Sequence, residues 1–185
     1  NSFIGEIIME IKKIKKIVFL VICSLSMIYI SGCASTVPTA SFSRQIAPDS
    51  LIASTDDAKV KLEAGFDVKI MDGEKTRLAK AIEQRITALK VKNSRNGEKR
   101  LYEVELLLTR YDAGNAFARL MLAGLGQIHI DGEVKLIELP ERKIAGEFSI
   151  KKTFAWGGLY GGSIKIEDIE NTFADGVAQS ITNAQ

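Results

Sequence analysis

The sequence predicts an α+β domain: a mixed four- to five-stranded sheet with two helices packed on one face. Three observations predict it. Apolar and polar residues alternate at period two over four separate stretches, the mark of half-buried strands. Two further stretches repeat apolar residues at helical spacing. These run in the order strand, helix, three strands, helix, so a crossover joins the first two strands and short links join the last three.

Residues 1–32 are expected to be a signal peptide, with Met9 rather than Asn1 as the true start, because Met9-Glu10-Ile11-Lys12-Lys13 opens a basic segment directly ahead of an apolar one. Lys12, Lys13, Lys15 and Lys16 stay on the cytoplasmic side while Ile17 to Ile30 enters the bilayer, so whatever follows is exported. That apolar run is too short for an ordinary transmembrane span. It ends in Ile30-Ser31-Gly32-Cys33, which resembles the lipobox of bacterial lipoproteins: an aliphatic residue, two small residues and a cysteine. The resemblance implies cleavage between Gly32 and Cys33, with the Cys33 thiolate as the nucleophile that takes the diacylglycerol. Two or three acyl chains, at about 0.8 kcal/mol per buried methylene, hold permanently where a single chain binds marginally. Residue 34 is alanine, whereas an aspartate there retains the resembling Gram-negative lipoproteins in the inner membrane. The periplasmic face of the outer membrane is therefore the expected location if the host has one. Cys23 leaves with the signal peptide, so no thiol is expected to remain.

Residues 33–57, rich in Ser, Thr, Ala, Pro and Asp and broken by Pro38 and Pro48, read as a lipidated N-terminus and flexible tether, with one edge strand around Leu51 to Ser54. A single α+β domain is expected over 58–185. Its first strand is Ala58 to Ile70, where every even position is apolar or small. Asp72 offers an N-cap to a helix over 74–91 whose stripe is Leu78, Ile82, Ile86 and Leu89. A turn at Asn93 to Lys99, built on Asn96-Gly97, follows. Leu101 to Asp112 buries Tyr102, Val104, Leu106 and Leu108. Gln127 to Leu139 turns Ile128, Ile130, Val134 and Leu136 inward and His129, Asp131, Glu133 and Lys135 outward. Pro140-Glu141 turns the chain into Ile144 to Trp156, with Ile144, Phe148, Ile150 and Phe154 on one side. A glycine-rich loop, Gly157 to Gly162, leads to a last helix striped by Ile166, Ile169, Phe173, Val177 and Ile181.

Hydrophobic residues at 46% and charged residues at 26% are globular proportions. The formal charge of +2 is accounted for by the four signal-peptide lysines set against Glu6 and Glu10. The mature chain is thus near neutral and has no basic stripe, which argues against nucleic-acid binding. His129, the sole histidine, falls on the polar side of its strand and reads as solvent-exposed. The loop at 157–162 lacks the lysine and hydroxyl residue of a P-loop and the Gly-x-Gly-x-x-Gly spacing of a dinucleotide site. Asp56-Asp57 and Glu167-Asp168 have no histidine or cysteine at ligand spacing and read as tether and first-turn helix charge. No catalytic, cofactor or metal site is expected, and a non-enzymatic domain is favoured over an envelope hydrolase or small-ligand binder.

The stretch from Ala113 to Gly126 is small and apolar between clean strands, with Arg119 as its only cation. Arg119, Gly124, Gly126 and the strand Ile128 to Leu139 match a pattern of an arginine, a Gly-x-Gly and a strand ending in an acid and a turn. Here the chain resembles the exported bacterial lipoproteins grouped as domain of unknown function 4410, over residues 50–184. The resemblance implies an envelope lipoprotein and carries over no activity. One reading of the stretch, the favoured one, is a crossover whose glycines let backbone pack closely, with Phe117, Leu120 and Met121 plugging the sheet end. In the functional reading Leu120 and Met121 are core, and Phe117 with Arg119 form an accessible pair that meets an envelope protein partner or the bilayer.

Overall fold

Five strands form one mixed sheet in the order β1-β5-β4-β3-β2: β1 (Thr39–Arg44), β2 (Asp57–Ala64), β3 (Leu101–Asp112), β4 (Ile128–Leu139) and β5 (Lys143–Phe154). The coordinates are a computed structural model that describes residues 36–92, 98–122 and 125–183. The expected signal peptide, Cys33, the expected turn at Asn96-Gly97 and Gly124 lie outside the described residues. β2 and β3 are parallel and joined by helix α1 (Asp72–Lys90); every other neighbouring pair is antiparallel. Helix α4 (Ile166–Thr182) closes the chain, and two short helices, α2 (Ala116–Met121) and α3 (Gly158–Ser163), sit in the β3–β4 and β5–α4 connections.

The long helices cover one face. Leu78, Ile82 and Ile86 of α1 and Phe173, Val177 and Ile181 of α4 pack on Val104, Leu106, Ile130, Val134, Leu136 and Ile150 of the sheet. The opposite face stays polar, as an antiparallel sheet allows. One row across it alternates in charge through all five strands: Lys61 pairs with Glu105, Glu105 with Lys135, Lys135 with Glu147 and Glu147 with Arg44. Opposite charges on directly paired positions each contribute roughly 0.2–1 kcal/mol.

Three expectations need correcting. The segment expected as a tether over 33–57 is part of the fold from Thr36 onward. β1 adds to β5 as an edge strand, Phe42 stacks on Phe148 with ring centroids 5.0 Å apart, and Leu51, Ile52 and Ala53 are buried without being a strand. Ile52 donates its backbone N–H to Ile181 at 2.9 Å, tying this segment to the end of α4. Second, β2 stops at Ala64. Gly65 makes the last bond to β3, donating to Leu108, and Val68 turns back on Gly65, so Phe66 projects fully into solvent. Third, α1 starts at Asp72, not 74. Met71 is its N-cap residue, and the Glu74 carboxylate accepts the Met71 N–H at 2.8 Å.

Candidate functional site

Asp112 of β3 pairs with His129 of β4, and His129 pairs with Thr153 of β5. The C-terminal end of β3, the start of β4 and the end of β5 therefore form one end of the sheet. Both short helices lie at this end and pack on each other.

Arg119 holds them together. Its side chain is only 3% exposed, and it donates from Nε to Gly161 at 2.9 Å, from Nη1 to Gly126 at 2.7 Å and Ala113 at 3.2 Å, and from Nη2 to Ile164 at 3.0 Å. Every acceptor is a backbone carbonyl, and burial draws the guanidinium pKa below its ordinary value. The planar fork suits this task because it offers five donors in fixed directions. Glycines make the close approaches possible. Gly126 sits at φ +69°, and a Cβ at Gly161 would stand 1.9 Å from the Trp156 carbonyl oxygen.

The expectation of an accessible Phe117–Arg119 pair is corrected in its second member, because Arg119 faces inward onto carbonyls of two connections. Leu120 and Met121 are corrected the other way. A six-residue helix offers the protein one face, which Arg119 takes, leaving Leu120 partly exposed and Met121 62% exposed. Phe117 is 71% exposed. On α3 and its approach, Leu159 is 86% exposed, and Trp156 and Tyr160 are exposed with their rings 5.5 Å apart. Leu122 and Leu125 add to the same apolar cap. Because neither side chain supports the core, Phe117→Ala and Met121→Ala are each expected to change unfolding free energy by under about 0.5 kcal/mol, read by urea denaturation.

The N-terminal chain arrives at this end too. Thr36 donates its N–H and its hydroxyl to the Thr153 carbonyl at 3.0 and 3.1 Å, and its hydroxyl accepts the Thr153 N–H at 3.0 Å. The buried Lys152 ammonium donates to the Thr36 carbonyl, and burial draws the Lys152 pKa below the ordinary lysine value. Thr36 is thus strapped to the end of β5.

The titratable groups inside the domain are engaged structurally. Asp56 is fully buried and accepts the Ala53 N–H at 2.9 Å, the Arg100 N–H at 3.1 Å and the Arg100 guanidinium at 3.0 Å, so it is no tether residue. Glu170, which the helical stripe gave no reason to single out, is also buried. It takes a two-pronged bond from Arg77 at 2.7 and 2.9 Å and the Tyr111 hydroxyl at 2.6 Å. Burial, with the Glu170 carboxylate alongside, pushes the Tyr111 phenol far above its ordinary pKa. Asp168 accepts the Lys165 N–H at 3.0 Å, the helix-start role expected of the Glu167-Asp168 pair. His129, expected outward, is half-buried with Nδ1 3.0 Å from the Thr153 hydroxyl oxygen; burial, then Arg110, holds its pKa below the usual imidazole value.

On the polar face Lys61, Glu63, Glu105, Leu107, Glu133 and Lys135 line a groove of about 210 Å³. That is below the usual range for small-molecule sites, roughly 300–1,000 Å³. Among the described residues no three metal-ligating side chains cluster, and no helix is long and apolar enough to cross a membrane.

Comparison with known proteins gives a fold and a family. The PelC dodecamer from Paraburkholderia phytofirmans matches with a TM-score of 0.50 at 8% identity, covering 80% of this chain and 100% of that one. A single-substitution variant of that PelC matches equally, with 99% of its chain covered. A Xanthomonas campestris protein assigned to DUF330 matches with a TM-score of 0.45 at 11% identity, over 76% of this chain and 92% of that one. At such identities the PelC likeness is one of fold. No curated protein matches the chain. The family described as Domain of unknown function (DUF4410) matches residues 30–158, beginning at Ile30 of the lipobox-like motif and ending before α4, where the sequence resemblance had been drawn over 50–184. The chain belongs to the DUF4410 family.

Proposed function

We propose that this chain is a lipid-anchored bacterial envelope protein whose α+β domain is non-catalytic and serves as a protein-interaction or assembly module. The observation that carries the reading is the strap at Thr36. Cys33, the residue of the lipobox-like motif that would bear the lipid, is only three residues before it along the chain. A domain built to be held against a membrane needs no more chain than that.

The internal chemistry fits a binding role. Asp56, Arg77, Arg119 and Glu170 spend their polar atoms on partners within the fold. The interaction partner sought is another envelope protein. Because the PelC that shares the fold is a dodecamer, copies of this chain are the first partners to look for. The periplasmic face of the outer membrane is the proposed location where the host has one.

Cys33→Ser tests the anchor. The variant is expected to lose palmitate labelling, to stay at precursor size and to leave the acylated membrane fraction. Normal incorporation of labelled palmitate into Cys33→Ser protein would sink the anchor reading.

A further inference from the structure

We infer that the apolar cap built by α2 and α3 is a second membrane contact, so that a lipid bilayer surface is its occupant and the domain rests on the membrane by this end. The inference depends on the proposed lipid anchor at Cys33. Chain path supplies the first argument. Thr36 is fixed at Thr153, and Cys33 precedes it by three residues, at most about 11 Å of extended chain. Trp156 follows Thr153 by three residues, so the chain that leads back to Cys33 and the chain that leads on to the cap both leave the sheet at Thr153.

Charge supplies the second. The segments Ala116–Met121 and Gly158–Ser163 contain no acid and no lysine, and their one cation, Arg119, is spent on backbone carbonyls inside the protein. Burying the outer surface of this helix pair in a bilayer interface therefore strips water from no ionic group. The exposed side chains are of the types that settle there: Trp156 and Tyr160 as amphipathic rings, Phe117 and Leu159 as apolar bodies.

Placement supplies the third. Phe66, fully exposed, leaves β2 at this same end, because β2 and β3 are parallel. Among the described residues, fewer large apolar side chains are exposed away from this end, among them Leu101, Leu107 and Val91. Isolated exposed apolar residues are normal on any surface; a contiguous group is not.

Trp156 is the sole tryptophan, so its fluorescence reports on the cap alone. The test uses the acylated mature protein in phosphatidylethanolamine–phosphatidylglycerol vesicles that carry bromine on the upper acyl chain, with flotation and the intact mass measured on the same sample. The expected result is a blue-shifted Trp156 emission quenched by lipid bromine and protected from aqueous acrylamide. In Leu159→Asp, which alters an exposed side chain, the shift and the quenching should be lost while flotation persists. With the reporter moved to the polar face, Leu107→Trp in a Trp156→Phe background, bromine should not quench. An acylated, floating protein whose Trp156 is unquenched overturns the cap inference and leaves the anchor standing. If that Trp156 is instead shielded from acrylamide and copies crosslink through Leu159→Cys, the cap belongs to a second copy and the inference is equally overturned. No acyl mass on Cys33 and no flotation would remove the anchor and the inference together.

Discussion

Arg119→Ala is expected to lower the unfolding free energy by about 3 kcal/mol or more, because truncation orphans buried carbonyls that each forfeit roughly 1–3 kcal/mol when unpaired. Two of the four acceptors, Gly161 and Ile164, lie more than 40 residues from Arg119 in another connection, so the loss is more than local. α2 and α3 should separate, and Trp156 emission should change in the folded state before global unfolding. Arg119→Lys is expected to recover little, since one ammonium cannot reach carbonyls arranged around a planar fork. Urea midpoints for the three proteins measure both effects. An Arg119→Ala protein with wild-type stability and unaltered Trp156 emission would show that the cap is held by something else.

Asp56→Ala should be comparably severe, at about 3–5 kcal/mol, the usual consequence of removing one partner of a buried ion pair. It leaves the Ala53 and Arg100 backbone donors without their acceptor and strips the Arg100 guanidinium of its carboxylate, leaving it only the Asp49 and Leu51 carbonyls. This site also gives the fold an acid sensitivity of known sign. Burial raises the Asp56 pKa, but the Arg100 side chain and the two backbone donors together outweigh it, so the carboxyl titrates below its ordinary range. A folded-state pKa below the unfolded value, about 3.9, stabilises the protein above that pH, and the contribution fades as pH falls toward the folded-state pKa. Urea midpoints of wild type and Asp56→Asn compared from pH 6 to pH 2 should therefore converge in the acid arm. A constant difference across that range would mean that Asp56 carries no ionisation-linked stability.

The strands legible in the sequence were those buried on one face only. Leu101–Asp112 and Ile128–Leu139 alternate cleanly because the charge row on their outer face demands polar residues where the core demands apolar ones. β1 is written in the same period, with Ala40 and Phe42 half-buried and Ser41 and Ser43 facing the polar side, but Thr, Ser and Pro around it give the composition of a linker. Pairing with β5 decides its state, and that partner lies more than a hundred residues away. Asp56 was illegible for a similar reason, since its partner Arg100 is 44 residues on. Arg119 was misplaced by a sound rule, that arginine is almost never buried unless paired. Its pairing is with carbonyls, which every residue has and which no sequence pattern displays.

The Thr36 strap also sets an order of events. Synthesis runs from the N-terminus, so the first strand to emerge is β1, yet the edge it joins is on the last strand. Thr36 and Thr153 are 117 residues apart, which at a synthesis rate of about 5–20 residues per second is roughly 6–23 s. Through that interval residues 36–44 have no sheet to join. The N-terminal edge of the sheet is thus completed last, when β5 arrives to receive β1.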